Sequence, residues 1–175
     1  MGGDGFAYWY QGVWDPVRMD FLVRDLDAAG VWLRNPSTGL ISSITNGPDS
    51  WGEQVTVSRD ELIEVAGLRA TGEVNFQFWL DGDTDVFTRV RRLPGGGAVI
   101  EFGLDGMVEA EREHVIRAVD AAMRRFPGEC LGLVVDRTGA TEEEDWDRIV
   151  LDPSTRFEAR PRVRVWRREA GSGAG

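Results

Sequence analysis

Apolar and polar positions alternate with a period of two along GEVNFQFWL (residues 72–80) and VFTRVRRL (86–93), then change to a helical period in MVEAEREHVIRAVDAAMRRF (107–126). A period of two sends successive side chains to opposite faces of a strand, whereas apolar residues three and four apart share one side of a helix. In the first strand Val74, Phe76 and Phe78 fall on one face, and Asn75, Gln77 and Trp79 on the other. In the second, Val86, Thr88 and Val90 oppose Phe87, Arg89 and Arg91. The acidic DGDTD between them reads as a tight turn, and PGGG leads into a third strand, AVIEFGL. In the helix, Val108, Val115, Val119, Ala122 and Phe126 form an apolar stripe with Ile116 and Met123 beside it, while Glu109, Glu113, Asp120 and Arg124 fall away. The pattern predicts an α+β fold: a mostly antiparallel β-sheet covered by one long amphipathic helix over about residues 107–126, with shorter helices around it.

The flanking segments add to that frame. FAYWYQGVW (6–14) is dense in aromatics and suits a half-buried strand. Asp15-Pro16 is a helix start and Gly30 a stop, with Met19, Leu22, Val23 and Leu26 on one side between them. The alternation of Phe21 and Val23 with polar neighbours also fits a strand; the capping signals favour the helix. VWLRN is expected as a short strand broken at Asn35-Pro36, then LISSI and EQVTV as strands, with a loop at NGPDSWG. Ser58 and Glu61 have capping-box spacing for a short helix that Gly67 ends. CLGLVVD is a strand, Thr141 with Glu144 repeats the capping-box spacing for a helix over 141–149, and RPRVRVWRR makes a final strand. Without a repeat or a linker, residues 1–175 are expected as a single domain, with 1–5 and 170–175 as flexible tails.

Charge narrows the function classes. The formal net charge is -10 and all 20 basic residues are arginine. Non-specific binding to nucleic acid or to a membrane surface depends on cationic surface, so neither partner is expected. Arginine's planar fork favours two-point pairing with carboxylates, and an acidic surface laced with such pairs follows. No run approaches the roughly 20 apolar residues of a membrane span, and the N-terminus has no signal-peptide pattern, which points to a cytoplasmic protein. Cys130 is the only cysteine, which excludes an intrachain disulfide and a thiolate metal cluster.

Candidate chemistry is sparse. Asp81, Asp83 and Asp85 occupy the first three odd positions of a calcium-loop pattern, but Val86 stands where that loop needs Gly and Arg92 where it needs Glu, so the turn is the stronger reading and the metal the weaker. His114, the only histidine, borders the apolar stripe, and no GxSxG elbow accompanies it. Cys130 opens a core strand and reads as a packing residue. No catalytic residue and no cofactor is assigned. The exposed stretch of interest is TEEEDWD: Glu142, Glu143, Glu144, Asp145 and Asp147 surround Trp146, and clustered acids with a tryptophan anchor suit a basic protein partner. The same acids would serve as a plain helix start with negative charge at its positive end. Trp9, Trp14, Trp51 and Trp79 are where a small-ligand groove would be sought.

Antiparallel strands, a long helix, Pro127-Gly128-Glu129 and then LGLVVDRTG give residues 72–149 an organisation that resembles the immunity proteins of bacterial polymorphic and contact-dependent toxin systems. The resemblance lies in layout, with no diagnostic motif matched residue by residue. It implies a stoichiometric, non-enzymatic inhibitor that binds a cognate toxin, acidic because many such toxins are basic nucleases. A carboxylate- or metal-dependent enzyme using Asp81, Asp83 and Asp85 or residues 142–147 is the alternative, and a small-ligand binder built on the aromatics is a third.

Overall fold

A computed structural model of the chain describes residues 5–45, 52–68 and 72–169. The expected loop at NGPDSWG, the terminal tails and Trp51 lie wholly or mostly outside the described residues. Eight strands form one sheet: β1 (Phe6–Gln11), β2 (Ile41–Ile44), β3 (Gln54–Val57), β4 (Glu73–Trp79), β5 (Asp85–Arg92), β6 (Ala98–Gly103), β7 (Cys130–Asp136) and β8 (Val163–Arg167). Their order is β3-β2-β4-β5-β6-β1-β7-β8, and every pairing is antiparallel. The aromatic N-terminal segment is thus an interior strand between β6 and β7. Residues 7–11 are all buried because that strand is covered on both faces, and this is what the density of aromatics in FAYWYQ provides for.

The alternation read from the sequence sorts the two faces correctly. Val74, Phe76, Phe78, Val86, Val90, Ile100, Phe102, Ala7, Trp9, Leu133 and Val135 share one core on the first face. Three helices close that face: α1 (Pro16–Ala28), α2 (Arg59–Leu68) and α3 (Glu109–Met123). Asp15 caps α1 by accepting from the Arg18 N–H at 2.9 Å, with Pro16 in the first turn, so the helical reading of this segment holds. The Ser58 and Glu61 box is formed as expected, each side chain accepting from the other's backbone N–H.

One long helix covering the sheet is not what forms. Helix α3 begins only after Val108, which is extended and 64% exposed, and it ends before Phe126. Phe126 instead meets Phe21 of α1 edge-on, ring centroids 5.5 Å apart. Covering the first face is shared with Met19, Leu22, Val23 and Leu26 of α1 and Leu62, Ile63 and Ala66 of α2. Gly67 does not end α2 but lies inside it: a Cβ there would stand 2.5 Å from the Pro16 Cα, so glycine allows the two helices to approach. The expected strand at VWLRN is reduced to one bridge, Trp32 to Trp79, because the Asn35 side chain accepts from Ser37 and Thr38 N–H and turns the chain away.

A fourth helix, α4 (Glu143–Leu151), lies on the second face. There Trp146 and Val150 join Tyr8, Tyr10, Val99 and Val134 in a second, smaller core. The helix starts at Glu143, two residues later than the expected 141, and no side chain caps it. Thr141 is engaged otherwise, its Oγ1 accepting from Arg160 at 3.0 Å.

Candidate binding face

The second face of the sheet is where charged and aromatic side chains converge. Register sets the arrangement: Arg89 of β5 lies between Asn75 of β4 and Glu101 of β6, and Arg91 lies opposite Glu73. The Arg89 guanidinium donates to Glu101 at 2.7 and 3.0 Å, to Glu73 at 2.9 Å and to Glu143 of α4 at 2.5 Å. Arg91 pairs with Glu143 at 2.8 Å and grips Asp147 with two bonds of 2.9 Å. The Tyr10 hydroxyl completes the group by donating to Asp147 at 2.7 Å. Glu143 and Asp147 are four apart and share one side of α4, so two carboxylates of one helix meet two arginines of one strand.

Burial and pairing act together on these groups. Burial pushes the Glu101 carboxyl above its ordinary value, and Arg89 pulls it back. For Arg89, burial works against the charge, but Glu101, Glu143 and Glu73 outweigh it and the value rises. Tyr10 is raised by burial and by the neighbouring Asp147 charge, so its phenol stays protonated and able to donate. This cluster is a bolt between helix and sheet.

The stretch 142–147 must therefore be read anew. Trp146 is fully buried and cannot be an exposed anchor. Its Nε1 donates to Asp136 at 3.3 Å, Phe157 packs 5.8 Å from its ring, and the Arg160 guanidinium lies 5.1 Å above it. Asp136 also accepts from Thr138 and Gly139 N–H, so the DRTG turn is held by the same carboxylate that seats the tryptophan. Glu143 and Asp147 are bound to the sheet, which leaves Glu142, Glu144 and Asp145 facing solvent. A sequence signal for this was present: Trp146, Ile149 and Val150 recur at three and four residues, the period of a buried helix side.

Beyond Arg89, no helix among the described residues covers the face. A cleft of about 470 Å³ opens there over β4, β5 and β6. Glu73, Asp85, Glu101, Asp105 and Arg89 supply its charged lining, Phe6 and Phe87 its rings, and Asn75 and Gly103 the rest. Phe87 is 39% exposed. Gln77 donates to Asp85 at 2.8 Å at one end of the cleft.

The remaining candidates are spread over the molecule. Asp81 accepts from Asp83 and Thr84 N–H at 2.8 and 2.7 Å, which holds its carboxyl below the ordinary value; Asp83 is exposed, and Asp85 points instead to Gln77. Among the described residues, no three His, Cys, Asp or Glu side chains are grouped to hold a metal. His114 Nε2 donates to the Ala29 carbonyl at the end of α1. Cys130 is buried, and burial pushes its thiol up, away from a reactive thiolate. Trp9 and Trp14 pack edge-on, 6.1 Å apart, inside the first core, Trp14 donating to the Ala66 carbonyl. Trp79 is also buried. Glu129 of the PGE turn is clipped by Arg18 at 2.7 Å and by Gln11, tying the turn to α1 and β1.

No protein-family model matches the chain, and neither a curated protein nor a solved structure does.

Proposed function

We propose that this protein is a non-enzymatic binding module, an immunity-type inhibitor that holds a basic toxin against the second face of its sheet. The observation that carries the reading is the acidic cleft left open beside the α4 bolt. Through the Glu143–Arg89 contact, the start of α4 flanks that cleft, so Glu142, Glu144 and Asp145 extend its negative rim. An acidic, partly aromatic surface attracts a cationic partner at long range and gives it a flat ring to pack on. The net charge of -10 acts in the same direction over the whole molecule.

The test is a pull-down from extract of the native cell, read by mass spectrometry across a salt series. One basic protein is expected at low salt, released as salt rises past about 0.15 M, where screening shortens to about 8 Å. Neutralising Glu142, Glu144 and Asp145 to their amides is expected to weaken retention without lowering the melting temperature. Retention indifferent to both salt and these substitutions, or no retained protein, overturns the reading.

A further inference from the structure

A cavity of about 460 Å³ is lined by α1, the segment from Trp32 to Ile41 and the start of α2, and it shares no residue with the acidic cleft. Val23, Leu33 and Ile41 of the first core supply its apolar lining, and the half-buried Trp32 supplies an indole. Three arginines from three separate segments join them: Arg24 of α1, Arg34 two residues past the Trp32 bridge, and Arg59, the first residue of α2. The carboxylates beside them are fewer. Asp20 is shared between Arg24 at 2.9 Å and Arg59 at 2.6 Å, and Asp27 is the one acid in the lining. Arg34 donates to a neutral group, the Gly39 carbonyl, at 3.0 Å. Three guanidiniums against Asp20 and Asp27 leave one positive charge in excess at this cavity, in a chain whose net charge is -10. A concave site with an apolar lining, an aromatic ring and a few convergent charges, roughly 300–1,000 Å³ in volume, is the usual form of a small-molecule site.

We propose that this cavity binds a small phosphate monoester carrying a flat ring, of the kind a nucleoside monophosphate represents, with the phosphate held by Arg24, Arg34 and Arg59 and the ring against Trp32. The inference goes beyond the binding-module reading and does not depend on it. The local excess of positive charge selects an anion, while the net charge of the whole molecule repels a polyanion, so a monomeric ligand fits where a nucleic acid does not. A carboxylate has two oxygens, and the fork of a single guanidinium already satisfies both. A phosphate monoester has three terminal oxygens and nearly two negative charges, which suits several forks arriving from different segments. The indole and the apolar lining then favour a flat organic body over the bare inorganic ion.

The probe is adenosine monophosphate, titrated into the whole protein and followed by amide chemical shifts, with adenosine and inorganic phosphate as its two halves. Saturable shifts centred on residues 23–41 and on Arg59 are expected with the monophosphate, and binding at least about tenfold weaker with either half alone. Arg34→Gln is expected to weaken the monophosphate about tenfold and Arg24→Gln about fivefold, both with an unchanged melting temperature because both side chains are exposed. Trp32→Leu is expected to weaken it about fivefold while leaving the affinity for inorganic phosphate as it was. Arg148→Gln removes an exposed arginine of α4 that does not line the cavity, and is expected to bind as the parent does. No saturable binding, shifts centred elsewhere, or inorganic phosphate binding as tightly as the monophosphate overturns the inference. So does a loss in Arg148→Gln equal to that in Arg34→Gln, which would mark attraction by overall charge instead of a site.

Discussion

Over β1 and β7 the second face of the sheet is sealed by Trp146 and Val150, while over β4 and β5 it ends in Asn75, Gln77, Asp85 and Phe87 beneath an open cleft. The two halves belong to one antiparallel sheet and differ in what β1, β6 and β7 present against what β4 and β5 present. Tyr8, Tyr10, Val99 and Val134 give a helix something to bury; amides and carboxylates do not. The Arg89 and Arg91 cluster stands on the border, where it fixes the helix and ends the apolar zone. A surface kept polar next to a well-sealed one is a difference in use within one layer.

The largest effect that breaks this contrast is expected at the sealed side. Trp146→Ala should lower stability by about 3–5 kcal/mol, as for other large buried aromatics. Phe87→Ala on the open side should stay within about 0.5 kcal/mol, as exposed positions do. Urea unfolding of the two variants checks both, and equal losses would erase the distinction between the halves.

The border comes next. Arg89→Met leaves Glu101 buried with its charge uncompensated, and is expected to cost about 3 kcal/mol; adding Glu101→Leu should recover most of that, because a well-packed apolar pair replaces a buried ion pair at little loss. A double-mutant cycle by chemical unfolding measures the coupling.

Smallest and most diagnostic is pH. Glu129 lies below its ordinary 4.5, chiefly through its hydrogen bonds with Arg18. Its contribution is therefore present above 4.5 and is lost as pH falls through the lower folded value. Glu101 is raised by burial, so its contribution runs the other way: present below 4.5 and lost as pH rises through the folded value. Stability followed from pH 7 to pH 3 should fall less steeply in Arg18→Met than in the parent, and more steeply in Glu101→Gln.

What could be read from the sequence was what neighbours in the chain decide. Asp15-Pro16, Ser58 with Glu61, and the alternation in β4 and β5 act within a few residues, and each formed as read. The misreadings came where a distant group takes a side chain. Thr141 has the spacing of a cap, yet Arg160 holds its hydroxyl. Trp146 stands among five acids and looks exposed, yet Asp136, Phe157 and Arg160 enclose it. The cleft was not legible at all, because Asn75, Arg89 and Glu101 become neighbours only through strand pairing.

The interior position of β1 also has a consequence for how the molecule is made. Its partners are residues 98–103 and 130–136, so a chain emerging N-terminus first carries FAYWYQ without both neighbours until residue 136 has been synthesised. Pairings of such long sequence separation close slowly, and an aromatic strand waiting for both neighbours is open to wrong ones. Without β1 the sheet divides into β3-β2-β4-β5-β6 and β7-β8, and α4 loses Tyr8 and Tyr10 beneath it. The first of the described strands in chain order thus waits for partners about a hundred residues away, and its insertion joins the two parts of the sheet.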